Sequence, residues 1–203
     1  MSSSEPRPAA AERREQLLAV ALEMFAERGY QATTMDDVAN AAGFTKPILY
    51  QHFASKEALY NELVSATARD LIRTLSDAAM AEVTPRAMVE SALRAFFNVV
   101  VNQPQAYRLL FLQSPSNDQR TALRRVETRI TNFVEELIPL ESKPDSRRQL
   151  AAALVGAAEG AATAWLYQQE LAGWPPPDPD EAGRIAELIG TFAWGGLRLI
   201  SLS

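Results

Sequence analysis

The sequence contains no cysteine, a single histidine at His52, and no stretch in which β-branched residues alternate with polar ones. The first absence excludes disulfides, thiol nucleophiles and cysteine-ligated metals, and it suits a reducing cytoplasm. One histidine, with no carboxylates paired at metal-ligand spacing, leaves little material for catalysis. No metal, no cofactor and no enzymatic activity are therefore expected. The missing alternation removes the usual signal of a half-buried strand. Glycine is also scarce, at 9 in 203 residues. Long stretches are rich instead in Ala, Leu, Glu, Gln and Arg, the residues that enter helices at least cost. The expected fold class is all-α.

The N-terminus, MSSSEPRPAAAERRE, lacks the apolar segment of a secretory signal. Its Ser, Pro and Ala content predicts a disordered lead-in over residues 1–8. The stretch from Leu150 to Tyr167 is apolar enough to test as a membrane span, but it is mostly alanine and carries Glu159 near its middle. An acidic group there is costly in lipid, so a helix buried among other helices in a cytoplasmic protein is expected.

A surplus of basic residues is missing too. The net charge is -5, and residues 1–60 hold six basic against eight acidic side chains. A DNA-binding segment usually carries a basic footprint, so composition alone gives no such hint here. Position is more informative. Glu12, Glu15, Glu23 and Glu27 fall in the first helical stretch, whereas Lys46 and Lys56 fall in the segment that follows.

Apolar residues Leu17, Val20, Ala21, Met24 and Phe25 recur at helical spacing, predicting a helix from about Ala9 to Arg28 that ends at Gly29. A short helix follows Thr34, whose spacing to Asp37 approximates a capping box. Residues 40–44 make a glycine-containing turn. A second short helix then starts at Thr45, with Pro47 in its first turn, where proline loses no hydrogen bond. Ser55 caps the next helix. Two short helices across a tight turn make a helix-turn-helix, whose second helix is the usual reader of the major groove. The domains expected are a DNA-binding domain over 9–55 and a helical body over 56–203, about nine helices in all. Further helices are expected to about Ala79, from Thr84-Pro85 to about Val101, over 104–113, over 116–138, from Ser146 to Leu171, and from Pro179 onward.

The run TTMDDVANAAGFTKPILYQHFASKEALY, residues 33–60, resembles the DNA-binding signature of the TetR family of transcriptional regulators. So does its lead-in, Phe25-Ala26-Glu27-Arg28-Gly29-Tyr30. The resemblance covers residues 12–62, and it implies a dimeric regulator, usually a repressor, on a palindromic double-stranded DNA operator. It further implies release by a small hydrophobic effector. Thr34 and Thr45 resemble cap residues facing phosphates, Tyr50 and His52 resemble phosphate contacts, and Lys56 resembles a cation at the next helix start. Base reading would fall to Lys46, Pro47 and Gln51. Lysine donates to guanine, proline touches a thymine methyl, and glutamine pairs with adenine.

In the body, Ala152, Gly156, Gly160 and Thr163 form a small-residue strip that lets another helix approach closely. Ile189, Phe192 and Leu197 add an apolar face on the last helix. These two helices are the expected four-helix dimer interface. The resemblance implies that this body, residues 56–203, is an effector-binding and dimerisation domain, with the effector pocket expected among Phe96, Phe97, Tyr107 and Phe111 with Trp165, and with Arg108 and Glu159 as polar anchors. The alternative reading is a helical module that holds a lipid-like ligand and does not recognise DNA.

Overall fold

The computed structural model describes residues 10–112, 117–138, 144–171 and 177–201. Every regular element among them is helical: α1 (Ala10–Ala32), α2 (Met35–Ala41), α3 (Lys46–His52), α4 (Lys56–Met80), α5 (Pro85–Asn102), α6 (Pro104–Tyr107), α7 (Asn117–Leu137), α8 (Pro144–Leu171) and α9 (Pro179–Ser201). A π-helical turn over Arg108–Leu112 continues α6. The all-α class read from the sequence is the class observed. The lead-in expected over residues 1–8 lies outside the described residues, as does the side chain of Leu197. The chain divides into two compact units, one ending at Ser65 and the other beginning at Ala66.

In the first unit, Leu17, Ala21 and Phe25 of α1 are fully buried, as are Val38, Leu49 and Leu59 from the next three helices. The stripe read from the sequence is thus the face that builds the core. Gly29 breaks α1 with φ 78, a left-handed conformation that costs glycine nothing. The buried hydroxyl of Thr33 secures that kink, donating to the carbonyls of Met24 at 3.2 Å and Gly29 at 3.0 Å. Beyond the kink, the ring of Tyr30 stacks on Phe25 and meets Tyr60 edge-on at 5.0 Å. The first turns of α4 therefore belong to this unit's core.

In the second unit, α5 packs on α9, α7 on α8, and α8 also on α9. Gly190 permits the close approach of α9 to α5, since a Cβ there would stand 3.3 Å from Glu90 Cγ. The alanine-rich α8 buries Ala151, Val155, Ala158, Ala162 and Trp165, a stripe at alternating three- and four-residue spacing. Residues 146–169 of α8 are long and apolar enough to cross a membrane by length and composition. One side of this helix packs on α7 and α9 as expected, while the other side, with Ala152, Gly156 and Tyr167, is exposed in the protomer, so the expected burial is met on one face only.

Candidate functional site: an exposed short helix and an apolar cavity

The helix-turn-helix is fixed by local hydrogen bonds. Thr34 Oγ1 accepts from the Asp37 amide at 3.1 Å, and an Asp37 carboxylate oxygen accepts from the Thr34 amide at 3.0 Å. This is a complete capping box. The Thr34 hydroxyl, which donates to the same carboxylate at 2.6 Å, and then the Thr34 amide favour the ionised form and hold Asp37 below its ordinary value. At the other end of α2, the Phe44 amide donates to the Ala39 carbonyl and the Gly43 amide to that of Asn40. With Gly43 at φ 73, this is a Schellman stop that turns the chain into α3. Gln16 of α1 ties the turn down through its side-chain bond to the Ala42 carbonyl.

α3 has two unlike faces. Leu49 is fully buried, and Phe53 just past the helix is nearly so; they anchor the helix to the unit. Thr45, Lys46, Pro47, Tyr50 and Gln51 are all exposed, and His52 is half-buried. Pro47, Tyr50 and Gln51 stand three and four residues apart, so they share one side of the helix. Thr45 occupies the cap position without a side-chain bond to the helix, which leaves its hydroxyl to other partners. The side chain of Lys46 is not free. It lies 2.9 and 3.0 Å from the two carboxylate oxygens of Asp36 on α2, and that pair holds its ammonium above the ordinary lysine value.

Lys56 is also engaged. Its ammonium stands 4.2 Å from the centre of the Tyr30 ring and donates to the Gln31 carbonyl. Partial burial lowers its affinity for the proton. Arg14 pairs with Glu62 and lies over the Phe53 ring, an interaction the sequence reading missed because the partners are 48 residues apart.

The second unit contains a narrow cavity of about 50 Å³ with almost wholly apolar walls. Of the residues expected to face an effector, Phe96, Phe111 and Glu159 line it; Phe97, Tyr107, Arg108 and Trp165 do not. Phe97 is one position round α5 from Phe96 and fully buried, while Tyr107 and Trp165 are likewise core side chains. Tyr107 has a specific bracing role. Its hydroxyl donates to the Glu159 carbonyl at 3.2 Å and shares a 2.9 Å hydrogen bond with Thr163. Missing from the sequence reading were the α7 wall residues Ile130, Phe133, Val134 and Leu137, and Leu71 and Leu75 of α4. The apolar stripe on α7 was legible at helical spacing, but nothing local shows which stripe borders a void.

A wider chamber of about 400 Å³ adjoins the cavity, and Phe111 and Glu159 line both. Its other charged walls are Arg120, Arg124 and Glu127 of α7. Burial in this apolar setting, with the charge of Glu127 nearby, pushes the Glu159 carboxyl up to about 7.

On the remaining face of α8, Ala152, Gly156 and Gly160 are exposed, and Tyr167 and Leu171 continue the same side toward the C-terminal end. On α9, Leu188 and Phe192 are 67% and 72% exposed, and Ile189 is half-buried. These side chains make apolar surface open to solvent on two helices of one unit.

Comparison with known proteins agrees with the headpiece geometry. Residues 17–63 match the family model for bacterial regulatory proteins of the tetR family. The HTH-type transcriptional activator FasR of Mycolicibacterium smegmatis is 35% identical over 196 residues, 95% of this chain and 86% of FasR. A TetR-like transcriptional regulator from Rhodococcus sp. RHA1 has a TM-score of 0.72 and 27% identity, covering 96% of this chain and 99% of its own. FadR of Bacillus subtilis, solved in complex with stearoyl-CoA, shares the fold with a TM-score of 0.71 at 16% identity, over 86% of this chain and 96% of FadR. With a capping box, a Schellman turn and an exposed second helix in one headpiece, and a relative aligned over nearly its whole length, the chain belongs to the TetR family of DNA-binding transcriptional regulators.

Proposed function

We infer that the protein is a homodimer that places one α3 in the major groove at each half of a palindromic operator and leaves the DNA when a hydrophobic effector fills the cavity of the body. The observation that carries this reading is the exposed side of α3, a helix whose opposite side is anchored by Leu49. Lys46, Pro47 and Gln51 supply base contacts there. Thr34, Thr45, Tyr50, His52 and Lys56 supply phosphate contacts that set register. Lys46 must leave Asp36 to do so. A guanine edge can take that place because the pair is exposed, and exposed pairs hold weakly.

Dimerisation uses the open faces of α8 and α9, with Ala152, Gly156 and Gly160 as the close-approach strip beside Ile189 and Phe192. A two-fold axis through such a patch brings four helices together. The effector is hydrophobic because the cavity walls are. Leu71 and Leu75 of α4 stand on that wall, so an effector that widens the cavity displaces the helix whose first turns build the headpiece core. The sign of the transcriptional effect then follows from where the operator lies relative to the promoter. A site overlapping the promoter gives the repressor mode, in the cytoplasm where the DNA is.

The test is selection of purified protein against random duplexes at several salt concentrations. Recovery of one palindromic motif is the expected result. Recovery of nothing above background at low salt would overturn the DNA-binding reading for this chain.

A further inference from the structure

Glu159 is the least expected side chain in the body. It is a carboxyl set in the wall of an apolar cavity, and among the described residues nothing hydrogen-bonds it. Half-burial there penalises the charged form and favours the protonated acid. Its backbone is not free to turn it away, because Tyr107 of α6 holds the Glu159 carbonyl and the neighbouring Thr163 hydroxyl. On one side of it lies the apolar cavity; on the other lies the chamber that carries Arg120 and Arg124. Those two arginines are four residues apart on α7 and both exposed, so they share one face and can close on one anion.

Resting on the effector reading above, we propose that this threshold is a head-group site and that the effector is an anionic amphiphile, its chain entering and widening the narrow cavity behind Phe111 and its carboxylate or phosphate held between Glu159 and the arginines. Every charged or titratable group facing Glu159 bears on that assignment. From α7 come Arg120, Arg124 and Glu127, from α6 comes Tyr107, and α5 offers only apolar walls such as Leu93 and Phe96. A neutral Glu159 leaves two arginines against one carboxylate and can donate a hydrogen bond to the head. An ionised Glu159 cancels the positive balance and repels the head. Its carboxyl titrates at about 7, so both forms are populated near neutrality and the head selects the protonated one. Affinity for the anion therefore falls as pH rises through that value, by up to about tenfold per unit once the ionised form dominates.

The experiment is calorimetric titration of the purified full-length protein with dodecanoate, dodecyl phosphate and dodecanol, three ligands with one chain and different heads. At least one anion is expected to bind tenfold or more tighter than the alcohol, the size of one charge-assisted hydrogen bond. Which anion is preferred identifies the head as carboxylate or phosphate. Changing Arg120→Ala together with Arg124→Ala, both on the surface, should erase the preference. Glu159→Gln, which keeps the shape and a donor, should make dodecanoate affinity independent of pH between 6.5 and 8.5, where the wild-type affinity drops.

If dodecanol binds as tightly as the anions, or the preference survives in the double arginine variant, the head-group assignment is wrong while the hydrophobic effector reading stands. If none of the three binds, both fail.

Discussion

Replacing Gly160 by leucine separates two roles for the small-residue strip of α8. Within the chain, a Cβ at Gly160 would meet nothing within 4 Å, and the position is exposed. Nothing in the protomer resists the larger side chain, and leucine favours a helix over glycine by roughly 0.8 kcal/mol. The protomer should therefore gain slightly in stability. The dimer should not. If two copies of α8 cross at this strip, the two-fold axis brings both new leucines into the seam. Overpacking costs about 1–3 kcal/mol per site, so about 2–6 kcal/mol for the pair. That weakens association about thirtyfold at the least. Sedimentation velocity across a concentration series, with thermal unfolding in parallel, reads both effects. The expected outcome is a shift toward monomer, loss of operator binding at the same protein concentration, and an unfolding temperature of the monomer no lower than before. A Gly160→Leu protein that stays dimeric at nanomolar concentration refutes the use of this strip as the seam.

Three further outcomes follow from particular side chains. Gly43→Ala puts an ordinary residue at φ 73 with no steric neighbour, so the left-handed penalty, less the gain from a stiffer unfolded chain, should destabilise the headpiece by about 1 kcal/mol in denaturant titration; an unchanged midpoint would mean the turn relaxes. Tyr60→Phe removes a buried hydroxyl that has no hydrogen-bond partner among the described residues and should raise stability by about 1 kcal/mol, or about 2–4 °C in melting temperature, with a lowered temperature counting against it. Glu159 has a folded-state value of about 7 against 4.5 for the free group, so between those values the folded protein holds more proton than the unfolded one and stability falls as pH rises; melting temperatures from pH 4.5 to 7.5 should decline more steeply in wild type than in Glu159→Gln, and equal slopes would contradict the burial argument.

What the sequence made legible is local. Thr34 and Asp37, Gly43, Thr45 and Pro47, and the apolar spacing of α1 are all signals carried within a few residues, and each appears in the structure where expected. What it did not make legible depends on chain segments far apart. Phe96 and Phe97 are equally aromatic neighbours on α5, yet only Phe96 reaches the cavity, because the side that faces the void is set by α7 and α8 packing across it. Lys46 reads from the sequence as a base contact, whereas its pairing with Asp36, ten residues earlier, shows only in the fold. Lys56 reads from the sequence as a cation at the start of the next helix, and it sits on the ring of Tyr30. Thr33 passed as part of a signature motif, whereas its hydroxyl secures the kink at Gly29. In α8, helical spacing carried two stripes at once, one buried in the unit and one left open.

The most direct test of the account is the salt dependence of affinity for the selected duplex, measured by fluorescence anisotropy for wild type and for Lys46→Ala. If α3 lies in the groove between phosphates in both halves of a dimer, removing one cation per protomer should lower the slope of log affinity against log salt by roughly 2, close to 0.9 for each cation withdrawn from the phosphate field. A slope that is the same in both proteins, or near zero in wild type, would contradict the placement of α3 on DNA.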